Sequence, residues 1–164
     1  MIKELEIYID GASRGNPGPS GVGILIKDTQ DSTILIQRGE YIGETTNNVA
    51  EYTALIRALG IIIGKTFNSA FGGKPESLTL IINADSKLII NQVAGNYRIK
   101  SPNLVPLAVK ARQLMKKFKS VSLNLIDRKD NKIADRLANK AMNLRDIVDE
   151  LDSNIMFNHD VASG

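Results

Sequence analysis

Asp10, Glu51, Asp85 and Asp135 each lie inside or beside an apolar segment, where an unpaired negative charge is expensive. Asp10 ends the alternating stretch ELEIYID, and Glu51 falls in line with Leu55, Ala58 and Ile62 at helical spacing. Asp85 follows the apolar run LTLII, and Asp135 sits early in a further helical pattern. A lone carboxylate in such a setting takes up a proton, so four at the ends or faces of different core elements point to convergence on cations. The chain has no cysteine, and its one histidine, His159, lies in a polar tail. The ligands are therefore oxygens, which suit Mg2+ or Mn2+. Two such ions about 3.5–4 Å apart activate a water and stabilise the leaving oxygen at a phosphodiester without a protein nucleophile. Taken singly, each acid also has a plainer reading. Asp10 suits a turn cap and Glu51 the first turn of a helix. Asp85 or Ser86 suits a helix N-cap, and Asp135 suits a helix start, paired to Lys132 or Arg136.

The elements that must carry these acids follow from hydrophobic period. Residues 4–10 read as a strand, GASRGNPGPSG as a turn, and 21–27 and 33–41 as two more strands, making a three-strand antiparallel meander. From Asn48, the residues Val49, Tyr52, Leu55, Ile56, Leu59, Ile62 and Ile63 predict a long helix that stops at Gly64. Residues 65–77 read as a loop, and LTLII as a central strand apolar on both faces. A helix from Asp85–Ser86 to Val93, another over 103–118, the strand VSLNLI and a last helix over 131–143 complete the pattern. Strands first, then strands alternating with helices, predict an α/β fold with a mixed sheet flanked by helices.

A length of 164 residues suits one domain, 1–144, followed by an acidic C-terminal tail, 145–164, expected to be frayed or loosely docked through Ile147, Val148 and Leu151. The tail carries one arginine against five acids, whereas residues 1–144 carry 20 basic residues against 13 acidic ones. A basic body around an acidic site suits a polyanionic partner. No basic-then-apolar leader is visible and no apolar run approaches about 20 residues. A cytoplasmic protein with no membrane association is therefore expected, and a monomer.

Four segments, YIDGASRGNPGPSGVG, TTNNVAEYTALIRAL, NADSKLIINQV and DNKIADRLANKA, resemble in this order the signature segments of type 1 ribonuclease H, over about residues 5–143. The resemblance implies a ribonuclease H-like fold with a five-stranded mixed sheet. It also implies that Asp10, Glu51, Asp85 and Asp135 are the catalytic metal ligands for two Mg2+ or Mn2+ ions. The implied reaction is endonucleolytic cleavage of the RNA strand of RNA/DNA hybrids, leaving 5′-phosphate and 3′-hydroxyl ends. Gly11, Ser13, Asn16, Asn47 and Asn48 match positions that read the 2′-hydroxyl across the minor groove, with Glu51 a further acceptor. Thr45 and Thr46 match a phosphate-contacting segment before a helix N-terminus. Ser13 and Asn16 equally suit turn chemistry, and either threonine a helix cap.

The chain departs from the family pattern twice. Relatives often carry a catalytic histidine in the loop before the last helix, where this chain has IDRKDN. Arg128 stands at roughly that place; a guanidinium does not shuttle protons at neutral pH, so its expected part is phosphate or product contact, or surface charge. The long basic, tryptophan-rich handle of some relatives is also absent, with Tyr97, Arg98 and Lys100 as a smaller patch. Weaker hybrid affinity follows, and cleavage of duplex RNA is left open. Two other readings compete: a non-catalytic nucleic-acid-binding module, and a DNA-cutting nuclease of the same fold.

Overall fold

In the computed structural model, which describes residues 1–151, three long strands come first: β1 (Glu4–Ser13), β2 (Gly18–Asp28) and β3 (Ile34–Thr45). Helices α1 (Asn47–Ile63) and α2 (Lys65–Phe71) precede β4 (Thr79–Ala84). Then come α3 (Lys87–Ala94), α4 (Val105–Met115), β5 (Ser120–Leu125), α5 (Lys132–Leu144) and β6 (Ile147–Asp149). The sheet order is β5-β4-β1-β2-β3-β6. β1 pairs antiparallel with β2 and parallel with β4, so the expected mixed sheet and its meander are present.

Alternation along β1 sorts its residues between two helical layers. Leu5, Ile7 and Ile9 join Tyr52, Leu55, Leu59 and Ile62 of α1 and Leu80 and Ile82 of β4 in one buried cluster, which also takes in Ala108 and Ala111 of α4. Burying each large aliphatic chain is worth about 1.5–3 kcal/mol, so this layer supplies most of the driving force. Two polar links fix the helices within it. The buried Tyr52 hydroxyl donates to Gln92 Oε1 on α3 at 2.8 Å, and Arg112 Nη2 of α4 donates to the Gln92 carbonyl at 2.6 Å. On the opposite face α5 lies over β2 and β3 through Ala134, Leu137, Ala138 and Ala141, all buried.

Three sequence expectations need correction. The sheet has six strands, not five, because β6 pairs antiparallel with Arg38, Gly39 and Glu40 of β3. The sixth strand was hidden by its length of three residues and its acidic neighbours. The stretch 65–77 is not loop throughout: α2 forms because Phe67 and Phe71, four apart, stack at 4.9 Å between centroids, with Phe67 buried. Strands β2 and β3 also run past the expected ends, into the glycine- and proline-bearing segments. In the proposed tail, Val148 is buried and Glu150 accepts from Arg136 Nη1 at 2.6 Å and Lys140 Nζ at 3.0 Å; the rest of it, from 152 on and including His159, lies outside the described residues.

Candidate active site

Asp10 faces α5, opposite to the α1 layer, because it pairs in register with Gly23, whose missing side chain points at α5. A Cβ on Gly23 would lie 1.8 Å from the carbonyl oxygen of Ala134, so only glycine lets the first turn of α5 rest on the sheet and bring Asp135 beside Asp10. Gly11 does the same on the other face, where the start of α1 carries Glu51 up against β1. Asp85 follows β4, the parallel neighbour of β1, and its freedom is decided by Ser86. The Ser86 hydroxyl accepts from the Ile89 amide at 3.3 Å and caps α3, so Asp85 is not the cap. Likewise Arg136, a candidate partner for Asp135 in sequence, pairs with Glu150 instead.

The result is a polar cleft of about 290 Å3 lined by Asp10, Gly11, Ala12, Asn47, Asn48, Glu51, Asp85, Ser86, Arg128 and Asp135. Ligand oxygens of Asp10, Glu51 and Asp85 all lie within 4.8 Å of one another. Asp135 lies outside that tight trio but close enough to raise the Asp10 carboxyl. Burial, then the Glu51 and Asp85 charges, push the Asp10 carboxyl up to about 9. Burial and the Asp85 charge push Glu51 up to about 7, against the pull of Asp10, the Gly11 amide and the Arg128 guanidinium. No ion pair within 4.0 Å among the described residues answers Asp10, Glu51 or Asp85. Glu40 shows the contrast: buried like Asp10, it accepts from Arg57 Nε at 2.8 Å and Nη2 at 2.9 Å, with Arg38 at 3.1 Å. The acid trio therefore has the composition and spacing to hold a divalent cation by oxygen alone.

The expected substrate residues divide. Gly11, Asn47, Asn48 and Arg128 line the cleft with the acids, whereas Ser13, Asn16, Thr45 and Thr46 are not among its lining residues. The Ser13 amide donates to Asn47 Oδ1 at 2.7 Å, and the Asn47 amide to Asn16 Oδ1 at 3.0 Å. Ser13 Oγ donates to the Thr45 carbonyl at 2.7 Å. These contacts lash the β1–β2 turn to the start of α1. Thr46 Oγ1 accepts from the Val49 amide at 3.3 Å, so Thr46 is the cap of α1. Sequence reasoning missed Asn131, which is 1 % exposed and touches both β1 and Asp85. Its signal was present: 131 stands at helical spacing ahead of the buried 134, 138 and 141 of α5, and only the first is polar.

A family described as reverse transcriptase-like matches residues 8–141. The crystal structure of RNase H1 from Halobacterium salinarum is 37% identical with a TM-score of 0.75, covering 85% of this chain and 98% of that one. The chain belongs to the type 1 ribonuclease H family. Another type 1 ribonuclease H, LC11-RNase H1 in complex with an RNA/DNA hybrid, is 37% identical over 86% of this chain and 98% of its own, with a TM-score of 0.75. The bifunctional protein Rv2228c of Mycobacterium tuberculosis is 40% identical over 83% of this chain and 35% of its own length. The chain thus spans about a third of that longer relative. No single helix among the described residues is long and apolar enough to cross a membrane.

Proposed function

We propose that this chain is a divalent-metal-dependent ribonuclease H that cleaves the RNA strand of RNA/DNA hybrids endonucleolytically, leaving 5′-phosphate and 3′-hydroxyl ends. The observation that carries this reading is the convergence of Asp10, Glu51 and Asp85 within 4.8 Å, with no ion pair to any of them within 4.0 Å among the described residues. Asp10, Glu51 and Asp85, with Asp135 beside Asp10, are the residues that would hold two Mg2+ or Mn2+ ions. When bound, such ions activate the attacking water and stabilise the leaving oxygen of the scissile phosphodiester. The Asp10 and Glu51 carboxyls are both held above their ordinary range, so cation binding there would be accompanied by proton release.

Asn47, Asn48 and the backbone at Gly11 border the acids and can meet a 2′-hydroxyl, the group that separates RNA from DNA. Ser13, Asn16, Thr45 and Thr46 set the shape of that edge. Arg128 brings a permanent positive charge to the mouth of the cleft and suits phosphate or product contact. The relative solved with an RNA/DNA hybrid supports the same substrate class. A monomeric, cytoplasmic enzyme belongs to this reading, and duplex RNA is a second substrate to be tried.

The acid quartet argues against a pure binding module, because phosphate binding gains nothing from several mutually repelling carboxylates. A DNA-cutting nuclease would have no use for a 2′-hydroxyl reader. Labelled RNA/DNA hybrid, duplex RNA and duplex DNA, each incubated with Mg2+ and with EDTA, separate the readings. The expected result is Mg2+-dependent cutting of the hybrid's RNA strand; preference for duplex DNA, or hybrid binding without turnover, would overturn it.

A further inference from the structure

Asn131 is enclosed at the junction of β1, the end of β4 and the start of α5. Its side-chain nitrogen donates to the Ile9 carbonyl at 2.8 Å and to Asp85 Oδ2 at 3.2 Å. Ile9 immediately precedes Asp10, so one amide group joins the backbone beneath the first acid to the carboxylate of the third. The orientation is settled by chemistry: both neighbours are acceptors, and a reversed amide would set oxygen against oxygen. The other end of the group, Oδ1, is buried with no hydrogen-bond partner among the described residues. A buried acceptor left unmet opposes folding, and an apolar side chain at this place would carry no such penalty. What the asparagine offers in return is its two donated bonds, one to β1 and one to the Asp85 carboxylate.

We propose that Asn131 is a positioning residue of the cation site. By occupying Asp85 Oδ2 it leaves Oδ1 of Asp85 as the oxygen turned to the cation, and it fixes the carboxylate plane against rotation. The same contact to Ile9 anchors the first turn of α5, which carries Asp135. Groups that orient metal-ligating side chains in this way typically change cation affinity by about 10–100-fold when removed. The inference rests on the acids being cation ligands, and its test separates it from the choice of substrate.

Mn2+ binding to the full chain, measured by calorimetry without nucleic acid, should weaken about tenfold or more in Asn131→Ala. In EDTA the variant should still unfold in one cooperative transition, at a temperature lowered by the lost bond to Ile9. Equal Mn2+ affinity in the two proteins would overturn the proposal, whichever nucleic acid the parent cleaves. A measurement on the unaltered chain guards against a variant that does not fold. The Asn131 side-chain amide resonances should shift on Mg2+ titration, and resonances that stay fixed while Mg2+ saturates the site would also overturn it.

Discussion

A Cβ placed on Gly11 would lie 2.3 Å from both the carbonyl carbon and the oxygen of Ala50. Helix α1 thus rests directly on the backbone of β1, and the neighbouring residue, Glu51, reaches the Asp10 carboxyl through that closeness. Gly11→Ala should push α1 outward, costing about 1–3 kcal/mol in urea unfolding. Cleavage of a labelled hybrid should fall by about 100-fold, since displacement of catalytic groups by about 1 Å has that effect. Parent-like activity in this variant would show that the contact does not position Glu51.

Asp10→Asn and Asp85→Asn remove ligand charge without removing volume. Both should fold and both should lose nearly all Mg2+-dependent cleavage, by about 1000-fold or more if each ion supplies several kcal/mol of transition-state stabilisation. In EDTA, Asp10→Asn should unfold at a temperature equal to or above that of the parent, because it removes an acid repelled by Glu51 and Asp85. Retained activity in both variants would end the assignment of these acids.

The metal-free protein should lose stability as pH rises. Folding lifts Asp10 to about 9 and Glu51 to about 7 from ordinary carboxyl values. Across roughly pH 5–9 the folded chain therefore holds more protons than the unfolded one, and linkage makes unfolding easier with each step upward. Urea unfolding in EDTA should show a decline of about 2 kcal/mol or more over that window. Saturating Mg2+ should reduce the decline and Asp10→Asn should flatten much of it; an unchanged midpoint from pH 5 to 9 in EDTA would contradict the buried cluster.

Glu40 should behave in the opposite way. Its carboxylate is buried and held by Arg57 and Arg38, so Glu40→Ala leaves two guanidiniums facing an emptied pocket. The expected loss is about 1–2 kcal/mol in urea unfolding, because the guanidiniums left behind are partly open to water, which screens them. Specific activity of the folded fraction should be little changed.

Glu150 holds β6 to α5 through Arg136 and Lys140, and accepts from Gln37 at 2.9 Å. Arg136, set against burial and helped by Lys140 and Gln37, holds its carboxyl down at about 2. This contribution is complete above the ordinary glutamate range and disappears as pH falls toward 2. Glu150→Gln should cost only about 1 kcal/mol, the scale of a solvent-screened network, but hydrogen exchange at Val148 should quicken markedly.

The sheet's character was legible because Leu5, Ile7, Ile9 and the LTLII run have clear strand period, and α1 because its apolar residues repeat at helical spacing. The acids were legible as a set, since each breaks an apolar pattern at the end or face of an element. What single acids could not disclose was their competition: whether Asp85 or Ser86 caps α3, and whether Arg136 answers Asp135 or Glu150, depends on contacts between distant segments. Glu40 was overlooked for the same reason, as its guanidinium partner Arg57 lies on α1, beyond the end of β3. β6 and α2 escaped because three or seven residues carry too little period to stand out.

The three residues of β6 also matter for what happens between molecules. With the flanking Asp146 and Glu150 they pair with the outer edge of β3, a strand of 12 residues whose other neighbour is β2. Peeling them back would bare a ladder of free amides and carbonyls, the kind of border along which copies of a chain zip together. Glu150 lies outside the residues that line the cleft, so weakening it should cost dispersal in solution before it costs turnover.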